Sequence, residues 1–462
     1  MLVAAATVFF QGLTFAHRIL DLDEANHGAI AALMNAGGGL YADGGVDNKA
    51  PGVFWVYSLV YRVAGDYNMT AVHAVKVAVV LATAALIAYA ARRVTKRAAA
   101  GWVAAVLYIA FTAAGYTKMA AANTEVFMLL PAAASFVLLL QRRWFWSGAV
   151  LALACLTKQV DVFQAALFPL AAVTFHLGWR PILAGALGLA AGFGALFAML
   201  AVTASLPGFL HWAVTLVLTS YGPSAWTRGQ LLPALQSGLW PWLAASPLLL
   251  LPALVRLVRV RDEEVLVAGW LATSAAGAVI GGHFFGHYFI QVVGPASILA
   301  AAALIAWRST LKQPLLAYAV AGLLAVPAVW STAADYGQDL YPVDPVSDYV
   351  AAHTSPGDRV FVWGDSPTIY VFSDRLPATR FVGFLRGFPR DTGAPPNNWD
   401  TRPEVWAQVR QDFALHPPAL VVDTSTANWM SFGAYPLSDF FVLPPGYEKT
   451  AVVDGVTIYR LK

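Results

Sequence analysis

Residues 181 to 204, PILAGALGLAAGFGALFAMLAVTA, form an unbroken apolar run without a charged side chain. A transmembrane α-helix needs about 20 mostly apolar residues, so this run is long enough to cross a bilayer. Its glycines, Gly185, Gly188, Gly192 and Gly194, superficially resemble a nucleotide-binding loop. Because they lie inside an apolar helix, we interpret them instead as positions where neighbouring helices pack closely. This run decides the fold class, which is that of a membrane protein.

Similar apolar runs recur on both sides of this one and are separated by short charged segments. We count eleven predicted membrane helices, with approximate ranges 1–17, 70–91, 98–115, 125–141, 144–157, 162–178, 181–204, 238–255, 264–282, 288–307 and 314–334. The succession predicts an all-α polytopic bundle over residues 1–334.

The composition supports a membrane as the natural solvent. The chain has 462 residues, of which 58% are hydrophobic and 12% charged, and its mean hydropathy is +0.61. An average soluble protein carries about 25% charged residues. The formal net charge of +3 offers no basic field for nucleic acid, and the single cysteine, Cys155, has no disulfide partner. Disorder, nucleic-acid binding and disulfide stapling are therefore excluded.

Basic residues follow the even-numbered predicted helices. The clusters are Arg92, Arg93, Lys96 and Arg97; Arg142 and Arg143; Arg256, Arg259 and Arg261; and Arg308 with Lys312. Lysine and arginine in short loops are retained on the cytoplasmic side. The pattern predicts a cytoplasmic amino terminus, and an odd number of helices then places the chain after Trp330 outside.

The composition changes near Asp335. Residues 335–462 contain fifteen acidic and ten basic side chains, against eleven and nineteen before them, which predicts a soluble outer-face α/β domain. We expect strands at 359–363 and 419–422, a helix at 402–415, and a tight hairpin turn at 453–456. The predicted domains are therefore 1–334, containing the bundle, and 335–462.

The first external loop, residues 18–69, carries the groups best suited to chemistry. Asp21-Leu22-Asp23-Glu24 follows the first helix, and Asp47-Asn48-Lys49-Ala50-Pro51 follows a glycine-rich turn. Sugar transfer to a hydroxyl needs a base near the acceptor proton, and a partly desolvated carboxylate supplies one. A lysine supplies the cation for a leaving phosphate. The alternative is a solvated acidic surface with a snorkelling Lys49.

The same loop resembles a known family. The matching segments there are Asp23-Glu24-Ala25-Asn26-His27-Gly28, Gly39-Leu40-Tyr41 and Asn48-Lys49-Ala50-Pro51-Gly52; later ones are Asn123-Thr124-Glu125, Leu156-Thr157-Lys158-Gln159 and Gly286-His287-Tyr288-Phe289. They resemble the bacterial protein O-mannosyltransferase and aminoarabinose transferase group. These are membrane glycosyltransferases of the GT-C type, related to glycosyltransferase family 39. The resemblance covers most of residues 18–305.

The resemblance implies roles for the matching residues. Asp23 would be the general base of an inverting transfer, and Glu24 would orient or assist it. Lys49 would bind the donor phosphate, and His287 with Tyr288 would reach that phosphate from the other side of the cavity. The sequence departs from the family where Ala50, rather than proline, follows the lysine.

Four further residues are candidates for lining the cavity: Asp21, Asp47, Glu125 and Lys158. Glu125 is equally explained as a carboxylate that stabilises the amino terminus of a helix. Lys158 lies three residues before Asp161, and an ion pair between them is the structural alternative.

No metal site is predicted. His283 and His287 are four residues apart, on what we expect to be a helix end, but no third ligand is near them in the sequence. An aromatic-lined phosphate contact is the preferred interpretation of this pair.

The resemblance implies a multi-pass enzyme of the bacterial plasma membrane, with its carboxyl-terminal domain periplasmic or extracellular. It would transfer a hexosyl or pentosyl unit from a polyprenyl-phosphate donor to a protein, lipid or glycan of the cell envelope. No nucleotide or redox cofactor is required, and a divalent cation is compatible with the clustered carboxylates. Two alternatives are a lipid-linked-sugar flippase or transporter and a non-catalytic protein that binds envelope glycan. Internal repeats or midplane charges would favour transport.

Overall fold

The computed structural model describes residues 1–114, 117–203, 205–221, 231–233, 235–310, 314–338, 340–341, 344–383, 403–427 and 436–462. Its α-helices are α1 Leu2–Phe10, α2 Leu22–Asn35, α3 Gly52–Ala64, α4 Met69–Thr95, α5 Ala98–Phe111, α6 Thr124–Leu140, α7 Trp144–Thr157, α8 Leu167–Thr174, α9 Arg180–Val202, α10 Leu206–Phe209, α11 Trp240–Ala245, α12 Pro247–Leu257, α13 Glu264–Val279, α14 Ile290–Thr310, α15 Pro314–Asp335, α16 Pro345–His353, α17 Thr368–Ser373 and α18 Pro403–Leu415. The strands are β1 Arg359–Trp363, β2 Leu376–Pro377, β3 Leu420–Asp423, β4 Tyr447–Val453 and β5 Val456–Leu461.

The chain forms two compact units. The helical unit comprises the described residues of Met1–Leu20, Val72–Ala198 and Arg228–Asp339. The mixed unit comprises those of Asp21–Ala71, Met199–Thr227 and Leu340–Lys462. The first external loop therefore clusters with the tail. The domain boundary that we predict at residue 335 stays a prediction.

The helical unit is built around α14. This helix packs against α5, α12 and α13, and 83% of its most apolar window is buried inside the protein. In α9 the corresponding share is 17%, although the two windows have the same mean hydropathy of 2.0. Apolar side chains that protein does not cover need another apolar solvent. The exposed apolar surface of α9 is what a lipid-facing helix requires.

Every predicted apolar run coincides with helix in the described residues, but many of the helices are short. Four are long and apolar enough to span a membrane, and one bent pair, Leu231–Ala245 with Pro247–Leu257, would make five. Among the described residues, eight further apolar helices are shorter, with 10 to 17 residues each; Trp144–Thr157 is an example. The structure thus supports a helical membrane fold, while eleven full spans stay a prediction.

The mixed unit joins a packed helix pair to a small α/β sheet. Helix α2 packs against α3, and it also contacts α17 and β2 of the tail. The sheet order is β2-β1-β3-β5-β4, with β1 parallel to both β2 and β3. Strand β5 is antiparallel to β3 and β4. The carboxyl ends of the central strands, β1 and β3, therefore open at one edge of the sheet.

The tail strands agree closely with the sequence prediction. Strand β1 is fully buried from Val360 to Trp363, and β3 is buried throughout, as their continuous apolar runs indicate. Asp454 and Gly455 have φ of 49° and 80° between β4 and β5. Positive φ at both central positions is the geometry that a two-residue hairpin turn prefers. The predicted hairpin is confirmed.

Candidate functional site

The amino terminus of α2 fixes the first acidic group. Asp21 is the extended N-cap, and its carboxylate accepts a hydrogen bond from the backbone N–H of Asp23 at 3.4 Å. The buried Glu24 carboxylate accepts the Asp21 N–H, also at 3.4 Å, which completes a capping box. Glu24 thus holds the helix start, while the Asp23 side chain is 35% exposed.

Lys49 lies between two carboxylates. Its Nζ is 3.0 Å from Asp23 Oδ1 and 3.7 Å from Asp47 Oδ2. The lysine side chain is 17% exposed and that of Asp47 is fully buried. We call Asp23, Asp47 and Lys49 the loop cluster. Although 26 positions separate them in the sequence, Asp23 and Lys49 form a partly exposed ion pair.

Asp47 fixes the position of Lys49 through both of its oxygens. Oδ1 accepts the backbone N–H of Lys49 at 3.1 Å, and Oδ2 accepts a short hydrogen bond from Asn26 Nδ2 at 2.5 Å. The Tyr41 hydroxyl donates to the Lys49 carbonyl at 2.7 Å. The backbone at Lys49 is therefore held on both sides, which leaves its ammonium as the adjustable part.

Two tyrosines near the loop cluster stay protonated well above neutral pH. Burial raises the pKa of Tyr41 well above its usual value, and the nearby Asp47 raises it further. Burial likewise raises the pKa of Tyr57, with added contributions from Glu24, Tyr61 and Asp23. Both phenols are consequently neutral hydroxyl groups at any physiological pH.

The tail reaches the same region of the mixed unit. A Cβ placed on Gly383 would lie 3.1 Å from Asn26 Oδ1 and 3.7 Å from Asp365 Oδ1. Asp365 follows β1, at the carboxyl edge of the sheet, and is partly exposed. Among the described residues, buried Asn26 Oδ1 has no hydrogen-bond partner. The sheet edge, α2 and the loop cluster thus adjoin through Asn26.

The helical unit contains a second charged group, which we call the bundle cluster: Glu125, Lys158, His287 and Tyr288. The Lys158 ammonium pairs with Glu125 Oε1 and lies 3.6 Å from the centroid of the Tyr288 ring. His287 Nε2 is 3.8 Å from the same carboxylate oxygen. The side chain of Glu125 is 3% exposed and that of Lys158 16%. Helices α6 and α7 and the segment before α14 bring these residues together.

Two of the structural alternatives can be judged from this geometry. The predicted ion pair of Lys158 with Asp161 is wrong, because Lys158 pairs with Glu125 and an extended backbone at Lys158 separates it from the helical turn that follows. His283 is not on a regular helix, since Phe284 has φ of 51° and a 3₁₀ turn begins only at Gly286. Instead, the rings of His283 and His287 both lie nearly parallel to the Phe285 ring, with centroids 5.6 and 5.7 Å from it.

Sequence reasoning missed the contributions of Asn26 and Asp365. Asn26 lies in a matching segment but has no role assigned to it, and Asp365 is not among the residues that the sequence indicated. The strand order of the sheet gives a reason to consider Asp365, which follows β1. Strand β1 pairs with β2 on one side and β3 on the other, and ligands of parallel sheets bind where the strand order reverses.

No family model and no curated protein matches the chain. Solved structures do. ArnT from Cupriavidus metallidurans bound to undecaprenyl phosphate is 15% identical with a TM-score of 0.64, and the match covers 99% of this chain and 97% of ArnT. The apo form of ArnT gives 16% identity, the same TM-score, and coverage of 99% and 96%.

An oligosaccharyltransferase from Archaeoglobus fulgidus, in complex with Zn and sulfate, matches over 100% of this chain and 73% of its own length. The identity is 12% and the TM-score 0.50. At such identities the likeness concerns the fold. The chain therefore has the GT-C fold of multi-pass membrane glycosyltransferases, as the resemblance of its motifs implied.

Proposed function

We propose that this protein is an integral membrane glycosyltransferase that uses a polyprenyl-phosphate sugar as donor. The observation that carries the proposal is the partly exposed Asp23–Lys49 ion pair, at 3.0 Å, in a chain with the GT-C fold. A base and a cation side by side are what transfer from a sugar phosphate to a hydroxyl requires. ArnT bound to undecaprenyl phosphate supports the choice of donor.

In the proposed reaction the Asp23 carboxylate removes the proton of an acceptor hydroxyl. The acceptor oxygen forms a bond to the anomeric carbon from the face opposite the phosphate, and the bond from that carbon to the phosphate oxygen breaks. The bonding electrons leave with the phosphate, as polyprenyl phosphate. Lys49 stabilises the charge that develops there. The configuration at the anomeric carbon is inverted.

The ion pair also suggests how the base is activated. In the resting protein Lys49 lies against Asp23, and a neighbouring cation lowers the tendency of a carboxylate to accept a proton. A donor phosphate that attracts the ammonium would remove it from Asp23 and leave a stronger base. Asp47 keeps the Lys49 backbone in place while the ammonium moves. Donor binding would thus prepare the base for the acceptor.

The acceptor is proposed to approach along the sheet edge. Asn26 and Asp365 lie next to each other there and provide an amide oxygen and a carboxylate, which are acceptors for hydroxyl or amino groups. Asp365 is partly exposed, so a substituent of an envelope saccharide can reach it. The expected cytoplasmic amino terminus, the roles of His287 and Tyr288 at the phosphate, and the bacterial plasma membrane belong to the same proposal.

Purified full-length protein in nanodiscs, supplied with a labelled polyprenyl-phosphate sugar and cell-envelope extract, tests the proposal. Release of free polyprenyl phosphate together with a labelled acceptor supports it. Binding without turnover would favour a glycan-binding protein. Movement of the donor between leaflets without cleavage would favour a flippase. Either result would contradict the proposal that the protein is a glycosyltransferase. A parallel reaction in EDTA decides whether a divalent cation takes part.

A further inference from the structure

At the other end of the helical unit from the bundle cluster lies a small polar cavity. It is formed by the carboxyl ends of α4 and α12, the amino ends of α5 and α13, and the last turns of α14. Ala302, which lines it, is twelve residues beyond Ile290, about 18 Å along the helix axis. His287 precedes Ile290, so the cavity and the bundle cluster are separated by much of the thickness of a bilayer core.

The charge of this cavity is positive. Lys96, Arg97, Arg256 and Arg261 line it together with Asp262 and Glu264. Arg256 is already neutralised, because its Nη2 lies 2.6 Å from Glu264 Oε1. Within the described chain, the side chains of Lys96, Arg97 and Arg261 have no carboxylate at ion-pair distance. Among the described lining residues, three cations therefore lie outside an ion pair, against the single further carboxylate of Asp262.

The backbone adds to this field. Helix α5 begins after Arg97 and α13 after Glu263, and neither N-cap side chain bonds to the N–H groups of its own helix. Free N–H groups at helix amino termini attract anions. At α13 the N–H groups of Glu264, Val265 and Leu266 already donate to backbone carbonyls. The amino terminus of α5 is therefore the backbone feature that favours the same sign of ligand as the cations.

The size and setting of the cavity limit what can occupy it. Its volume is about 210 Å³. That space suits one phosphate group better than a nucleotide. Its inner wall is apolar and includes Ala302, Ile305 and Ala306. Trp102, 68% exposed and two residues after the lining Ala100, is the type of residue that lies at headgroup level.

We propose that this cavity binds the phosphate of an anionic membrane lipid, in the leaflet that the charge pattern predicts to be cytoplasmic. Basic pockets between membrane helices on that side bind anionic headgroups. The bound lipid would bridge Lys96 and Arg97, after α4, to Arg261, before α13. The proposal is independent of the transfer reaction, because it concerns the opposite end of the bundle and requires no turnover.

Native mass spectrometry of the full-length protein tests this site. We expect phosphatidylglycerol to bind at least tenfold more tightly than phosphatidylcholine with the same acyl chains. The double variant K96Q/R261Q should weaken phosphatidylglycerol binding about 30-fold, since each cation near a lipid surface contributes about a factor of five. Arg256 is left intact, because removing it would leave Glu264 buried and unpaired.

The matched control is R143Q/R259Q, which removes two exposed charges that do not line the cavity. We expect it to change binding less than threefold, since neither charge lines the cavity that would hold the phosphate. Equal weakening in both double variants, at unchanged thermal midpoints, would contradict a defined site. Equal binding of the two lipids would also contradict it. Displacement of the lipid by millimolar inorganic phosphate would show that the cavity binds a soluble anion, and it would contradict the proposed lipid site.

Discussion

The loop cluster and the bundle cluster use similar residues in different surroundings. Each places a lysine beside a carboxylate, Lys49 with Asp23 and Lys158 with Glu125. In the bundle cluster the carboxylate is 3% exposed, and the lysine also lies over the Tyr288 ring. In the loop cluster the Asp23 carboxylate is 35% exposed, although Asp47, farther from the lysine at 3.7 Å, is fully buried.

This difference separates an ion pair that can exchange partners from one that is fixed. Separating a buried pair leaves an uncompensated charge, at a cost of several kcal/mol, whereas an exposed pair contributes at most about 1 kcal/mol. A phosphate can therefore take Lys49 from Asp23 at small cost. Lys158 is held by Glu125, and its exchange would be far more expensive. Burial, more than residue type, is the reason why we propose the loop cluster as the site of chemistry.

The largest expected effect comes from removing the charge of Asp23. Asp23→Asn should lower the transfer rate by about two to four orders of magnitude while donor binding persists, because the amide cannot accept the acceptor proton. Single-turnover assays with labelled donor measure it. The control is Asp66→Asn, at an exposed acid of the same unit that bonds to Asn35, which should keep full activity. Wild-type transfer rates in Asp23→Asn would show that Asp23 is not the general base.

Breaking the bundle cluster should affect stability. Glu125→Gln removes the buried carboxylate that pairs with Lys158, so we expect a loss of about 3 kcal/mol in the free energy of unfolding. Denaturant titration in detergent measures it, and the double variant E125Q/K158Q should recover part of the loss. Asp23→Asn should cost less than about 1 kcal/mol in the same assay. Equal losses at the two sites would erase the distinction between them.

Lys49→Gln tests the exchangeable cation. Removing one charge-assisted contact to phosphate should weaken donor binding about tenfold or more, and Lys49→Arg should restore part of it. Inhibition by free undecaprenyl phosphate reports the affinity. Asp47→Asn is expected to have an intermediate effect, since Asp47 fixes the backbone that carries the lysine. An unchanged inhibition constant in Lys49→Gln would place the phosphate elsewhere.

A smaller effect is expected at the sheet edge. Asp365→Asn should raise the KM for the acceptor about threefold to tenfold, because a charged hydrogen bond becomes a neutral one. Donor affinity should not change, so the two constants separate acceptor recognition from phosphate binding. The variant is compared with Asp358→Asn, at an exposed turn of the tail. A shift in donor affinity alone would argue against this acceptor route.

The smallest effect concerns alkaline pH. The folded pKa of Tyr57 is raised, so above about pH 10 the folded protein binds more protons than the unfolded chain. Stability should therefore be intact below pH 10 and fall above it, by at most about 1.4 kcal/mol per pH unit for this one group. In Tyr57→Phe the free energy of unfolding should fall less steeply as the pH rises above about 10. An identical slope in the variant would show that Tyr57 does not titrate on unfolding.

The sequence was most informative where local pattern decides structure. Continuous apolar runs placed the helices and β1, and Asp454-Gly455 placed the hairpin, because those features depend on near neighbours. The motifs identified Asp23 and Lys49. Their distance of 3.0 Å could not be read from periodicity, because it depends on how the 36–51 segment returns to α2.

The partners of each lysine were harder to predict. Lys158 has Asp161 three residues away but pairs with Glu125, 33 positions distant, since the chain leaves the helix at Lys158. Asp365 approaches Asn26 only because the tail packs on α2. Both are long-range packing results, and a single sequence carries no direct signal for them. The number of full spans could not be fixed from the sequence for a related reason, since apolar length does not distinguish a full span from a shorter helix.

A structure of the full-length protein with undecaprenyl phosphate bound tests the central distinction most directly. If Lys49 exchanges partners, its Nζ should lie within about 3.2 Å of a phosphate oxygen and should have left Asp23. Lys158 should still pair with Glu125. A phosphate bound to Lys158, with the Asp23–Lys49 pair intact, would contradict the account.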